Sequence, residues 1–280
     1  MTQATHHTAT APAAGALSVF AADCTVKYNA PVNAEYGHLI VDAPDSILGC
    51  EPGQFVQILC PVNSSEQPYL RRPMSIYSYD REAGTLGIIY KIVGQGTKAL
   101  TKLKVGDPIN IMGPLGTGYE VKPEWNHILL WGRGVGLASL APLAVEAAKA
   151  GKKVTTIYSA RSKAVQLPID QFEQPGATVI TVTEEEGNSG LDNIRRMVEE
   201  QIKENGVDAI YTCGCDLALI ELKDVCRIYN VPGEVALEQR MACGLGIGQC
   251  CSRPFAVEGD IVHKRVCKEG PVFKILETLV

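Results

Sequence analysis

No apolar run in this chain approaches the roughly 20 residues a membrane-crossing helix needs. Positive charge is also short: 26 Lys and Arg stand against 31 Asp and Glu, a net charge of −5, which argues against nucleic acid as the main partner. The first residues lack both a basic n-region and a continuous apolar h-region, so no secretory signal is expected. Residues 1–16, rich in Thr, Ala and His, read instead as a disordered leader with His6 and His7 solvated. Without such a signal, the ten cysteines do not read as a disulfide framework. They point to a reducing, cytoplasmic compartment and to metal or redox chemistry. What remains is an ordinary globular composition, 46% apolar and 20% charged, over 280 residues, enough for two modest domains.

Residues 17–121 read as all-β. Short strand candidates are Leu17–Phe20, Cys24–Tyr28, His38–Val41, Phe55–Leu59, Ser75–Tyr79, Gly87–Ile92 and Pro108–Met112, punctuated by Gly, Pro, Asp and Asn. Such a series is expected to close into a barrel, with one short helix over Thr97–Leu103. Cys24, Cys50 and Cys60, scattered among apolar residues, read as small core hydrophobes. Lys122–Asn126 is the expected linker.

From His127 the pattern alternates. Ile128–Trp131, Lys153–Tyr158, Ala177–Thr183 and Ala209–Cys213 read as strands; Leu137–Ala150, Leu191–Asn205 and Ala218–Tyr229 read as helices. This predicts a Rossmann-like α/β domain over 127–235, its parallel sheet covered on both faces. Residues 236–280 form a separate cysteine segment.

That segment carries Cys243, Cys250, Cys251 and Cys267. The first three lie within nine residues, on a loop holding Gly244, Gly246 and Gly248. Glycines let a backbone turn tightly and aim its N–H groups inward. An iron–sulfur cluster needs converging thiolates and N–H donors to its sulfides.

Three further motifs bear on cofactors. Arg72-Pro73-Met74-Ser75 opens a strand: Arg72 can neutralise a diphosphate and Ser75 can bond a flavin edge or a phosphate, although the tetrapeptide also reads as a surface arginine before a proline. Val93-Gly94-Gln95-Gly96-Thr97 is a glycine-rich turn before a helix, suited to an anion, with Thr97 as N-cap or phosphate ligand; it is equally a plain turn. Gly132-Arg133-Gly134-Val135-Gly136 joins a strand to a helix but is not the full dinucleotide fingerprint, since the third glycine comes one position early. It fits either a pyridine nucleotide or a tight turn. Arg161 ends the domain's second strand, where an adenosine ribose would lie, and Glu184-Glu185-Glu186 reads as a solvated loop face. Cys213-Gly214-Cys215 ends another strand on the ligand side, which puts Cys213 near a nicotinamide or in a structural turn.

Taken in order, these features resemble the ferredoxin reductase-type flavoproteins, and among them the electron-transfer subunits of class B dihydroorotate dehydrogenase. The carriers are Leu70–Ser75, Tyr90–Thr97, Gly113–Gly116, the 132–136 glycine run, Glu238–Gly244 and Cys267–Phe273. The resemblance implies an FAD-binding barrel, an NAD-binding α/β domain and a small C-terminal [2Fe-2S] module. It places FAD on Arg72, Pro73, Met74, Ser75, Ile89, Tyr90, Lys91, Gly94, Gly96 and Thr97. NAD(H) is expected on Gly132, Gly134, Gly136 and Cys213, and the cluster on Cys243, Cys251 and Cys267, with Cys250 as a further candidate ligand. It implies electron flow to or from a flavin-containing catalytic subunit, as in pyrimidine biosynthesis, within a heterotetramer.

The family spacing is C-x4-C-x2-C, and from Cys243 its second position falls on Gly248, which has no side chain to offer iron. Cys250 is then the substitute thiolate, unless a non-cysteine ligand or an altered or absent cluster takes its place. Cys215 stands where the family usually has proline. Two rivals remain at this stage. One is the small subunit of a ferredoxin:NADP oxidoreductase or sulfide dehydrogenase complex; the other is a zinc-stapled binding module without redox function.

Overall fold

The computed structural model describes residues 19–62 and 67–279; the leader, with Leu17 and Ser18 of the first expected strand, lies outside the described residues. The first part is β1 (Phe20–Pro31), β2 (Tyr36–Asp42), α1 (Asp45–Leu48), β3 (Phe55–Leu59), β4 (Arg72–Ser75), β5 (Ser78–Asp80), β6 (Thr85–Lys91), α2 (Gln95–Leu100) and β7 (Pro108–Leu115). The strands form one seven-stranded antiparallel sheet, in the order β4-β3-β7-β1-β2-β6-β5. It curls into a half-barrel around Val26, Leu39, Val41, Ile58, Ile88 and Ile111, with Cys24, Cys50 and Cys60 buried in the same core. Alternation along β7, whose Ile109, Ile111, Gly113 and Leu115 are buried between more exposed neighbours, is the two-residue period of a half-buried strand.

The structure departs from expectation in three places. Phe20 and Cys24–Tyr28, expected in two strands, lie in the single strand β1. The segment Ser75–Tyr79 is not one strand. It divides into β4, which pairs with β3, and β5, which pairs with β6 at the other end of the sheet. Ile76 and Tyr77 carry the chain across the mouth of the barrel and are themselves buried, so their apolar character imitated strand continuity. Pro73 is tolerated because β4 is an edge. The short helix begins at Gln95, with Gly94 as its N-cap rather than Thr97. Thr97 sits one turn in, and its Oγ1 accepts the N–H groups of Val93 at 2.9 Å and Gly94 at 3.2 Å.

The second part is β8 (His127–Arg133), α3 (Leu137–Lys149), β9 (Lys153–Ala160), β10 (Thr178–Thr183), α4 (Leu191–Asn205), β11 (Ala209–Cys213), α5 (Asp216–Tyr229) and β12 (Gly233–Ala236). β8 is buried from His127 to Gly132, as a central parallel strand covered on both faces must be. Then come the hairpin β13 (Ser252–Val257) and β14 (Asp260–Arg265), and finally β15 (Val272–Lys274). The sheet order is β10-β9-β8-β11-β12-β15, parallel except for β15. Part of the cysteine segment is therefore built into the α/β sheet: β15 covers what would be an open edge at β12, and Phe273 and Ile275 enter the core. Among the described residues no helix is long and apolar enough to cross a membrane.

Candidate functional site

A cavity of about 340 Å³ lies where the half-barrel meets the α/β domain. One wall is Arg72, Pro73, Met74 and Ser75 of β4 with Ile89 and Lys91 of β6. The opposite wall is Val135, Gly136 and Ala138 at the head of α3 together with Cys213 at the end of β11. Leu237, Glu238, Gln239 and Met241, on the way into the cysteine loop, form the third side. Apolar walls edged by a few polar groups suit a flat ring with a hydrogen-bonding rim.

The barrel wall is shaped by close approaches. A methyl group at Gly96 would lie 2.8 Å from Arg72 Nε, so the bare backbone of α2 lets the guanidinium stem pass. Thr97 lines the cavity beside it; Gly94 is the cap of the same helix. Tyr90 borders the cavity, but its ring packs into the barrel core over Gly37 and its hydroxyl donates to Asn29 Oδ1 at 3.2 Å. Strand alternation turns Ile89 and Lys91 to the face opposite that ring.

The opposite wall is the topological switch point of the sheet. From β8 the chain runs to β9 on one side, and β11 flanks it on the other, which leaves a crevice at the strand ends. The glycine run makes this crevice narrow. A methyl at Gly136 would fall 2.4 Å from the Cys213 carbonyl oxygen, and one at Gly132 would fall 2.7 Å from the Leu137 side chain. Gly134 has φ +52°, and Gly214 has φ +101° with Arg133 O against its Cα. Burial, reinforced by the Glu238 carboxylate, pushes the Cys213 thiol up to about 12, so it stays neutral.

At the outer end of this crevice the cations are already paired. Arg161 bonds Glu35 on the β1–β2 turn, which also holds Lys91 at 3.3 Å. Arg133 bonds Glu184, and Lys163 bonds Glu186. The acidic run expected to be a solvated face thus supplies two ion pairs, and Arg161 meets a carboxylate.

The cysteine loop lies beyond the third side. Burial raises the Cys243 thiol, but the backbone N–H groups of Gly248, Leu245, Ile247 and Gly246 outweigh it and bring the thiol down to about 7. That ring of donors around a sulfur is what an iron–sulfur thiolate needs. Cys251 and Cys267 are buried with their sulfurs 3.2 Å apart, in the same core that Cys243 packs against. Cys250 is exposed, with Sγ 3.7 Å from the Arg240 carbonyl oxygen. A methyl at Gly248 would stand 4.0 Å from Cys243 Sγ. Cys243, Cys251 and Cys267 are thus brought to one core and Cys250 is left at its rim. Among the described residues no three His, Cys, Asp or Glu side chains converge on one ion.

Ala138 lines the cavity although no sequence motif marked it; Val135, Gln239 and Met241, quoted within motifs but given no role, line it too. Gln57, buried and without a side-chain hydrogen-bond partner among the described residues, lies inside the strand Phe55–Leu59. The only signal for it was a polar residue in an otherwise apolar strand.

Comparison with known proteins agrees with this geometry. Residues 25–119 match the oxidoreductase FAD-binding domain. Residues 238–278 match the iron–sulfur cluster binding domain of dihydroorotate dehydrogenase B. The electron transfer subunit of dihydroorotate dehydrogenase B (NAD(+)) from Desulforamulus reducens is 34% identical over 255 residues, 91% of this chain and 96% of the relative. The corresponding subunit from Fusobacterium nucleatum is 34% identical, covering 90% and 95%. Among solved structures, that of an NADH-dependent reduced ferredoxin-NADP oxidoreductase superposes with a TM-score of 0.75 at 26% identity, over 91% of this chain and 88% of that one.

Proposed function

This chain belongs to the family of electron-transfer subunits of dihydroorotate dehydrogenase B, and from that premise we propose where on it each redox group is held. The protein is an oxidoreductase subunit that passes electrons between NAD(H), FAD and an iron–sulfur cluster. The segment 17–121, within which the half-barrel lies, holds FAD; residues 127–235 take NAD(H); residues 236–280 carry the [2Fe-2S] cluster. A single observation supports this reading: one cavity is walled by the β4 motif and by the switch point facing it, and the chain that closes its third side leads directly into the cysteine loop.

In this reading Arg72 neutralises the flavin diphosphate, with Gly94, Gly96 and Thr97 shaping the turn around it. Pro73, Met74, Ser75, Ile89, Tyr90 and Lys91 border the ring. Gly132, Gly134 and Gly136 let the nicotinamide nucleotide approach the strand ends, and the neutral Cys213 thiol faces the ring without taking up a charge. Bound FAD supplies the conversion between two-electron and one-electron transfer. The side chains exclude water and fix the approach, and none need act as acid, base or nucleophile. Glu35 occupies Arg161, the cation that a 2′-phosphate would seek, which favours NAD(H) over NADP(H). Cys243, Cys251 and Cys267 would hold the cluster, with Cys250, exposed at the rim of the same loop, as the candidate fourth ligand.

The electron partner is a flavin-containing catalytic subunit, assembled as a heterotetramer; light scattering on the co-purified complex checks the stoichiometry. An anaerobic visible spectrum with iron and acid-labile sulfide assay tests the core reading. Flavin bands with about two irons and two sulfides per chain are expected. Flavin bands without iron would remove the cluster from the relay, and absence of flavin would defeat the whole placement.

A further inference from the structure

β3 has two faces with different destinations. Val56 and Ile58 enter the barrel core. Phe55 and Gln57, alternating with them, face the other way. Phe55 joins the core that contains Cys251 and Cys267 and against which Met241, Cys243 and Leu245 pack. Met112, opposite Gln57 on β7, packs against that same core. Gln57 thus stands at the junction of half-barrel and cysteine loop.

Its environment there is unusual. Gln57 is 0% exposed, and among the described residues neither Nε2 nor Oε1 has a hydrogen-bond partner. Buried amides are ordinarily satisfied, and an apolar residue would fill this space at lower cost. The amide lies against the loop beside Cys243: a methyl at Gly244, where φ is +71°, would sit 2.7 Å from Gln57 Nε2 and 2.8 Å from its Cγ. Glycine at 244 is what allows the contact. Phe55, on the same face of β3, also borders the flavin-side cavity, whereas the Gln57 amide lies against the Cys243–Gly244 turn.

We propose that Gln57 Nε2 donates a hydrogen bond to a sulfur of the iron–sulfur cluster and thereby raises its reduction potential. This rests on the assignment of the cluster to Cys243, Cys251 and Cys267. Hydrogen bonds to cluster sulfurs stabilise the more negative, reduced form, so removing one lowers the potential. Gln57 is a positioning and tuning residue, not a ligand.

The test is Gln57→Met, which keeps the length and removes the donor, measured by anaerobic EPR-monitored redox titration of the full-length protein. The expected result is unchanged FAD and iron content, an unchanged rate from NADH to an artificial acceptor, and a negative shift of the cluster potential. At a fixed solution potential the ratio of reduced to oxidised cluster should fall about tenfold, equivalent to about 59 mV for one electron. A fully loaded cluster at unchanged potential, or a shift confined to FAD, would overturn this inference alone. Iron missing from wild type and variant alike would overturn the cluster assignment beneath it as well. If the variant fails to hold its cluster, wild-type protein carrying ¹⁵N only in glutamine side-chain amides decides by pulsed EPR. An amide ¹⁵N coupling to the reduced cluster supports the bond, and its absence refutes it.

Discussion

The flavin-side cavity and the cysteine loop are neighbours built by opposite means. The cavity walls are strand ends and a helix head, fixed by ladders on either side and by contacts as close as Gly136 on Cys213. The cysteine loop between β12 and β13 has no regular structure over Arg240–Cys250, and its residues Ile247–Cys250 are exposed. Its order comes from Met241, Cys243 and Leu245 packing against the core that holds the buried thiols of Cys251 and Cys267. A site made of strand ends exists before its ligand arrives. A site made of a glycine loop gains much of its stability from the group it binds, as metal sites generally do.

The sharpest way to break the contrast is Cys251→Ser. Cluster content should fall to near zero and delivery to the catalytic subunit at least ~100-fold, while NADH oxidation by ferricyanide stays within about twofold. Iron assay and the two rates measured side by side check it; equal loss of both rates would mean that the two sites are one unit. On the other side of the contrast, Gly136→Ala forces a methyl into the Cys213 backbone and should cost about 2–3 kcal/mol by urea denaturation, together with a raised KM for NADH. An unshifted denaturation midpoint would show that the crevice is softer than its contacts imply.

The loop itself is probed by a pair of variants. Gly248→Cys places a thiol beside Cys243 and should slow chelator-driven iron loss about tenfold. Cys250→Ser should speed it comparably; no change would exclude Cys250 as fourth ligand. The smallest effect is expected from Arg161→Ala. Its exposed pair with Glu35 is screened by solvent, and the KM for NADH should move less than about threefold. A large loss of NADH affinity would put Arg161 in direct contact with the nucleotide.

Where pattern and packing agree, the sequence was readable to the residue: Phe55–Leu59, Leu191–Asn205 and Ala209–Cys213 are found with the bounds their hydrophobic spacing implies. Ser75–Tyr79 failed because buried Ile76 and Tyr77 serve a crossing between opposite ends of a sheet, which no local period encodes. β15 joined the α/β sheet because β12 needed an edge partner, a demand that arises only once the sheet exists. The β4 motif, the glycine run and the cysteines were legible since their chemistry is written in residue type. Gln57 was not, because its meaning depends on Gly244, 187 positions away along the chain, coming to rest against it.

β15 has one more implication. The cysteine segment leaves the sheet at β12 and returns to it at the adjacent strand, so it is a cassette clipped at both ends into the nucleotide domain. It cannot swing out on a hinge as a tethered carrier does. Electron hand-over inside this subunit therefore waits on no diffusive excursion, and its rate should be indifferent to solvent viscosity.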